Sequence, residues 1–140
     1  MKKLYFLLIT LFITSLSFGQ DLIITGAFDG PLTGGVPKGV ELYVVNDIAD
    51  LSIYGIGSAN NGGGTDSEEF TFPADAITAG SYIYVASEDV EFPNFFGFAP
   101  TYNAGSAMGI NGDDAIELFK NGSEIIRRTK KERNRHEDEG

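Results

Sequence analysis

From residue 40 the chain alternates. Val40, Leu42 and Val44 fall on one face of an extended segment and Glu41, Tyr43 and Val45 on the other, the period of two that marks a half-buried strand. Residues 21–28 are β-branched and apolar around Ile23, Ile24 and Thr25 and predict a strand before it. The loop between them, residues 29–38, holds three glycines and two prolines, so neither a helix nor a central strand is expected there. Residues 51–56, with Leu51, Ile53 and Gly55 in phase, predict a third strand, and residues 69–72 a short fourth one stopped by Pro73. Residues 81–87 follow, with Tyr82, Tyr84 and Ala86 opposite Ile83 and Val85. Residues 58–69, with Asn60, Asn61 and Gly62-Gly63-Gly64, are expected to form a flexible loop.

One segment breaks the pattern. Phe92, Phe95 and Phe96 recur at i, i+3 and i+4, and Pro93 is tolerable only in a first turn, so a short helix is predicted within residues 88–97, closing at Gly97. Asn111-Gly112 and Asn121-Gly122 are turn signals. The second joins residues 115–120 to residues 123–126 as a hairpin. About seven or eight short strands at 8–12-residue spacing with one short helix read as an all-β sandwich of the immunoglobulin-like kind.

The first nineteen residues are of another character. Lys2 and Lys3 precede an apolar run over residues 4–16, and Ser17 and Gly19 are the small residues before a cut at Gln20. That is the layout of a secretory signal peptide, and an apolar run of thirteen residues is shorter than the ~20 needed to span a bilayer. A secreted product, extracellular or periplasmic, is expected. The chain has no cysteine, which excludes disulfides, thiolate metal sites, a catalytic thiol and a lipid-modified N-terminal cysteine.

Charge divides the remainder. Residues 21–126 carry sixteen Asp and Glu against Lys38 and Lys120, whereas residues 127–140 carry six Lys and Arg against four Asp and Glu. So acidic a body repels phosphate backbones, whose affinity comes from Lys and Arg displacing counterions, and this argues against direct nucleic-acid binding.

Several segments, taken in order, resemble the lamin tail domain in the version found in secreted proteins of Bacteroidetes-type bacteria. They are Val40-Glu41-Leu42-Tyr43, Asn46 and Ala49-Asp50-Leu51-Ser52, Glu69-Phe70-Thr71-Phe72-Pro73, Ile77-Thr78-Ala79-Gly80-Ser81-Tyr82-Ile83-Tyr84-Val85-Ala86, residues 92–97, and Ile110-Asn111-Gly112-Asp113-Asp114-Ala115-Ile116-Glu117-Leu118. The resemblance covers residues 21–126. It implies an immunoglobulin-like sandwich that serves as a non-catalytic interaction or accessory module, often beside extracellular nucleases, phosphatases or other hydrolases. The family's last strand has no counterpart, because residues 127–140 lack any large apolar side chain and cannot supply a core strand. The expectation is a sandwich over residues 20–126 without its last strand and a charged, disordered tail over 127–140, in a chain truncated or out of frame near Arg127. Sequencing the downstream DNA tests this; no coding capacity for the missing strand in any frame contradicts it. The alternative function is that of an N-terminal fragment of an extracellular nuclease or phosphatase-type multidomain protein, its catalytic domain absent here.

Candidate chemistry is sparse. His136 is the only histidine and lies in the charged tail, without the orienting partner a general base needs; zinc sites of the usual kind are excluded with it. The candidate carboxylates for an acid and base pair are Glu41, Glu68 and Glu69, or Asp113, Asp114 and Glu117, yet any acidic sandwich offers such pairs, and no catalytic residue is expected. Calcium is the one cofactor considered, since it takes hard oxygen ligands. Its candidate ligands are Asn60, Asp66 and Glu68 in one loop and Asn111, Asp113 and Asp114 in another, though neither has EF-hand spacing and turns need the same residues. Gly62-Gly63-Gly64 lacks the lysine and helix of a phosphate-binding loop. Tyr43, Tyr54, Tyr82, Tyr84 and Tyr102 are candidates for a carbohydrate platform, against the simpler reading that they pack across the sheet. The basic tail is a candidate for docking on an acidic polymer. Partners are thus a protein or a surface polysaccharide.

Overall fold

The computed structural model describes residues 20–65 and 67–129; the expected leader, Asp66 and residues 130–140 lie outside the described residues. Two four-stranded sheets face one another. The first has the order β1 (Leu22–Leu32), β2 (Val36–Val44), β5 (Tyr82–Ala86), β6 (Tyr102–Asn103), and the second β4 (Phe70–Thr71), β3 (Tyr54–Ala59), β7 (Ala115–Lys120), β8 (Ser123–Thr129). Neighbours pair antiparallel except β5 and β6, which run parallel. The all-β sandwich expected from the alternation is the fold observed. A single helix, α1 (Glu91–Phe96), closes at Gly97, whose φ of 81° is left-handed, the conformation a helix end favours glycine for.

The alternation of β2 is realised side chain by side chain: Val40, Leu42 and Val44 are buried, Glu41 and Tyr43 half-buried. Opposed to them from the second sheet are Tyr54, Ile56, Ile116 and Leu118, and the core closes with Leu51, Phe72, Met108 and Ile110. Each fully buried aliphatic side chain contributes about 1.5–3 kcal/mol, so packing alone can hold a fold without cysteine.

Four boundaries differ from expectation. The Gly- and Pro-rich segment 29–38 is mostly strand: β1 and β2 continue as a ribbon to Leu32 opposite Val36, because at an edge Pro31 and Pro37 interrupt no central ladder. Leu51–Ile53 is a 3-10 turn rather than strand, opened by Asp50, whose Oδ1 accepts from Ser52 N at 2.9 Å. The expected loop from residue 58 begins with strand, since β3 runs to Ala59. Finally, β8 passes the expected end at residue 126 and pairs through Thr129 with Ala115. An edge strand needs backbone partners rather than apolar side chains on both faces, so the loss of apolar residues after Ile126 does not end it.

Candidate functional site

Two surfaces lie outside the core, and they use their side chains in opposite ways. On the outer face of the second sheet the carboxylates are bonded to neighbouring backbone N–H and hydroxyl groups. Asp114, 8 % exposed, accepts Asn61 N on Oδ1 at 2.8 Å and Asn111 N on Oδ2 at 2.6 Å. Both its oxygens therefore satisfy backbone donors, pinning the loop after β3 to the turn before β7. Glu69 continues the ladder where two-residue β4 stops, its Oε2 accepting from Ser58 N at 2.7 Å and from Ser58 Oγ at 3.0 Å. Glu68 lies over Gly55, where a Cβ would come within 2.2 Å of its carboxylate, and accepts from the Thr71 hydroxyl. Fully buried Glu117 and exposed Glu124 converge on the hydroxyl of Thr65.

The six calcium candidates are thereby distributed. Asp114 accepts from the backbone N–H of Asn61, the residue after Asn60; Asn111 Oδ1 accepts from Lys38 Nζ at 3.1 Å; Asp113 is exposed; Glu68 sits over Gly55, at the other end of β3 from Ala59; Asp66 lies outside the described residues. Among the described residues no group of three or more His, Cys, Asp or Glu is arranged to hold a metal. Of the first carboxylate set considered for acid–base work, Glu41 stands on the first sheet, apart from Glu68 and Glu69 beside the second. The convergence of Glu117 and Glu124 was not legible in the sequence, because it depends on the hairpin register and the loop crossing over it. A shallow depression of about 280 Å³ lined by Asp47, Ile48, Ala49, Ala76, Ile77 and Thr78 carries no acid–base pair, and Asp47 there accepts from Ala79 N.

The outer face of the first sheet is aromatic. At one end Tyr43 and Tyr82 stand opposite each other in register with ring centroids 5.1 Å apart, and Tyr82 and Tyr84 follow along β5 at 6.5 Å and 24°. Glu41 lies between, its Oε1 accepting from Thr25 Oγ1 at 2.7 Å. Partial burial and then the Glu41 carboxylate push the Tyr84 phenol above its ordinary value. At the other end β2 carries Gly39, where a Cβ would meet Val85 O at 2.2 Å and the Phe28 ring at 2.9 Å. Only glycine admits that ring, and Phe28 in turn packs on Phe92 at 5.7 Å and Phe96 at 5.2 Å. Phe92 is fully buried and anchors α1, with Phe98 bridging to Tyr84 at 4.9 Å. The outer members remain in solvent: Tyr82 is 52 % exposed, Phe95 47 % and Phe98 43 %.

Of the five tyrosines considered for a platform, Tyr43, Tyr82 and Tyr84 share this face. Tyr54 does not: it is 1 % exposed and donates to Asp21 Oδ2 at 2.8 Å, because β3 begins at Tyr54 itself and points it into the core. Tyr102 is half-buried on β6 and donates to Asp75 Oδ2 at 2.8 Å; burial, then Asp75, push its phenol up to about 12. Phe95, Phe96 and Phe98 belong to the aromatic face although the sequence marked only helical spacing. The available signal was four phenylalanines within residues 92–98, more than one short helix can bury on one side.

Comparison with protein families, with curated proteins and with solved structures finds no match to the chain. Among the described residues no helix is long and apolar enough to cross a membrane.

Proposed function

We propose that the protein is a secreted, non-catalytic interaction module of the lamin-tail type that contacts a neutral surface polysaccharide through Tyr43, Tyr82 and Tyr84. The observation that carries this reading is the row of three tyrosine rings on the sheet's outer face, Tyr82 exposed and Tyr43 and Tyr84 half-buried, with Glu41 and Thr25 interleaved as hydrogen-bonding groups. Aromatic faces carry partial negative charge, and the C–H hydrogens on a pyranose face carry partial positive charge, so the two stack. Glu41 offers an acceptor to sugar hydroxyls. The acidity of residues 21–126 disfavours anionic polymers by the argument already made for nucleic acids. The leader and the ordered likeness to the lamin tail domain support a secreted accessory module.

Affinity electrophoresis through gels containing xylan, laminarin or hydroxyethylcellulose tests the reading. We expect retardation in at least one gel and its loss in Tyr82→Ala. Free mobility in all three contradicts a polysaccharide partner, and hydrolysis of a glycan, DNA or phosphate ester that is lost in Glu41→Gln or Asp113→Asn contradicts a non-catalytic module.

A further inference from the structure

The sandwich takes hold of the chain one residue after the predicted cut. Asp21 is gripped on every side. Its backbone O accepts from Val45 N at 2.7 Å and its Oδ1 from Asn46 Nδ2 at 3.1 Å. Its Oδ2 accepts from Tyr54 Oη at 2.8 Å and from Lys120 Nζ at 3.0 Å. β1 then starts at Leu22. Gln20 stands just before this anchor and is half-buried. Among the described residues no hydrogen bond holds its backbone nitrogen or its side-chain amide.

Glutamine has a reaction of its own at a chain terminus. Its α-nitrogen can reach its own Cδ in a five-membered ring, and two groups held in one residue meet far more often than two in solution. A free α-amine ordinarily titrates at about 7.7–8.0, so a share of it is neutral and nucleophilic near neutral pH. In the reaction the bond from the α-nitrogen to Cδ forms and the bond from Cδ to Nε2 breaks. The α-nitrogen's proton leaves with Nε2 as ammonia, and no oxidant or reductant is needed. The surroundings favour the neutral product, because an α-ammonium on Gln20 would bring a second cation to a carboxylate already paired with Lys120.

We propose that Gln20, once freed by removal of residues 1–19, closes to pyroglutamate, and that this cap guards the Asp21 anchor against aminopeptidases. The proposal rests on the reading of residues 1–19 as a cleaved leader. An exopeptidase taking two residues from an open terminus would remove Asp21, leaving Lys120 and the buried Tyr54 hydroxyl without the acceptor they share. A lactam offers such enzymes no primary amine.

The test is made on the protein isolated from its native host. Edman degradation of the undigested chain should be blocked, and should read Asp21-Leu22-Ile23 after treatment with pyroglutamyl aminopeptidase. Lys38 is the first Lys or Arg after Lys3, so the tryptic peptide 20–38 should weigh one ammonia less than its unmodified mass. An immediate Edman reading of Gln20-Asp21 overturns the lactam and leaves the leader cut standing. A terminus at any other residue overturns the lactam and the cut together. The guarding role is read with leucine aminopeptidase on Gln20→Ala from the same host. That variant should lose residue 20 while the unaltered protein keeps its mass; equal trimming or equal resistance of the two overturns that role.

Discussion

The two outer faces carry different kinds of residue and expend them differently. On the second sheet, polar residues that look available for chemistry are occupied: both oxygens of Asp114 and one oxygen of Glu69 accept from backbone N–H groups. On the first sheet, residues that look like core are left in solvent, Tyr82 and Phe95 among them. A buried donor without a partner costs about 1–3 kcal/mol, so carboxylates beside short strands and loops are drawn into structure. Aromatic rings that remain exposed after a core is complete contribute little to folding and are free for contact. Residue type alone therefore does not tell which side chains are already occupied.

Substitutions that break this contrast should rank in order. Phe92→Ala removes the anchor of α1 and should destabilise the fold by about 3–5 kcal/mol, while Phe95→Ala, one turn away and exposed, should stay within about 0.5 kcal/mol; chemical denaturation of both measures the gap. Asp114→Ala leaves the N–H groups of Asn61 and Asn111 without their acceptor and should cost about 2 kcal/mol. Because its role is to accept those bonds, the loss should be equal in calcium and in chelator; a loss seen only with calcium would make Asp114 a ligand.

Smaller effects follow pH. Hydrogen bonds from Lys120, then Tyr54 and Asn46, hold the Asp21 carboxyl below its ordinary value of 3.8. A lowered folded-state value stabilises above the unfolded one and loses that contribution as pH falls through the folded one. Asp21→Asn should therefore flatten the acid limb of the stability profile below about pH 4. Tyr102 runs the other way. Its value is raised from 10.0 to about 12, so its contribution is whole below pH 10 and lost as pH rises toward about 12. Tyr102→Phe should remove that alkaline loss, read as unfolding midpoint against pH.

The sandwich was legible because period-two alternation survives wherever a strand has one wet face, as in residues 40–44. Asn121-Gly122 marked the β7–β8 hairpin by turn chemistry alone. What escaped depends on edges and on distant partners. The ribbon through Pro31 and Pro37 and the run of β8 to Thr129 exist because edge positions relax the rules of central strands. Tyr54 could not be placed by its own neighbourhood, since the 3-10 turn capped by Asp50 decides where β3 starts and hence which way it faces. The phenylalanines of residues 92–98 gave helical spacing correctly, but which of them stay exposed depends on Phe28 crossing Gly39 from another strand.

The division between the two faces is tested most directly by the urea midpoints of Tyr82→Ala and Asp114→Ala measured side by side with the unaltered protein. The account predicts an unchanged midpoint for Tyr82→Ala and one lowered by roughly 1 M for Asp114→Ala. A lowered midpoint for Tyr82→Ala with an unchanged one for Asp114→Ala would contradict it.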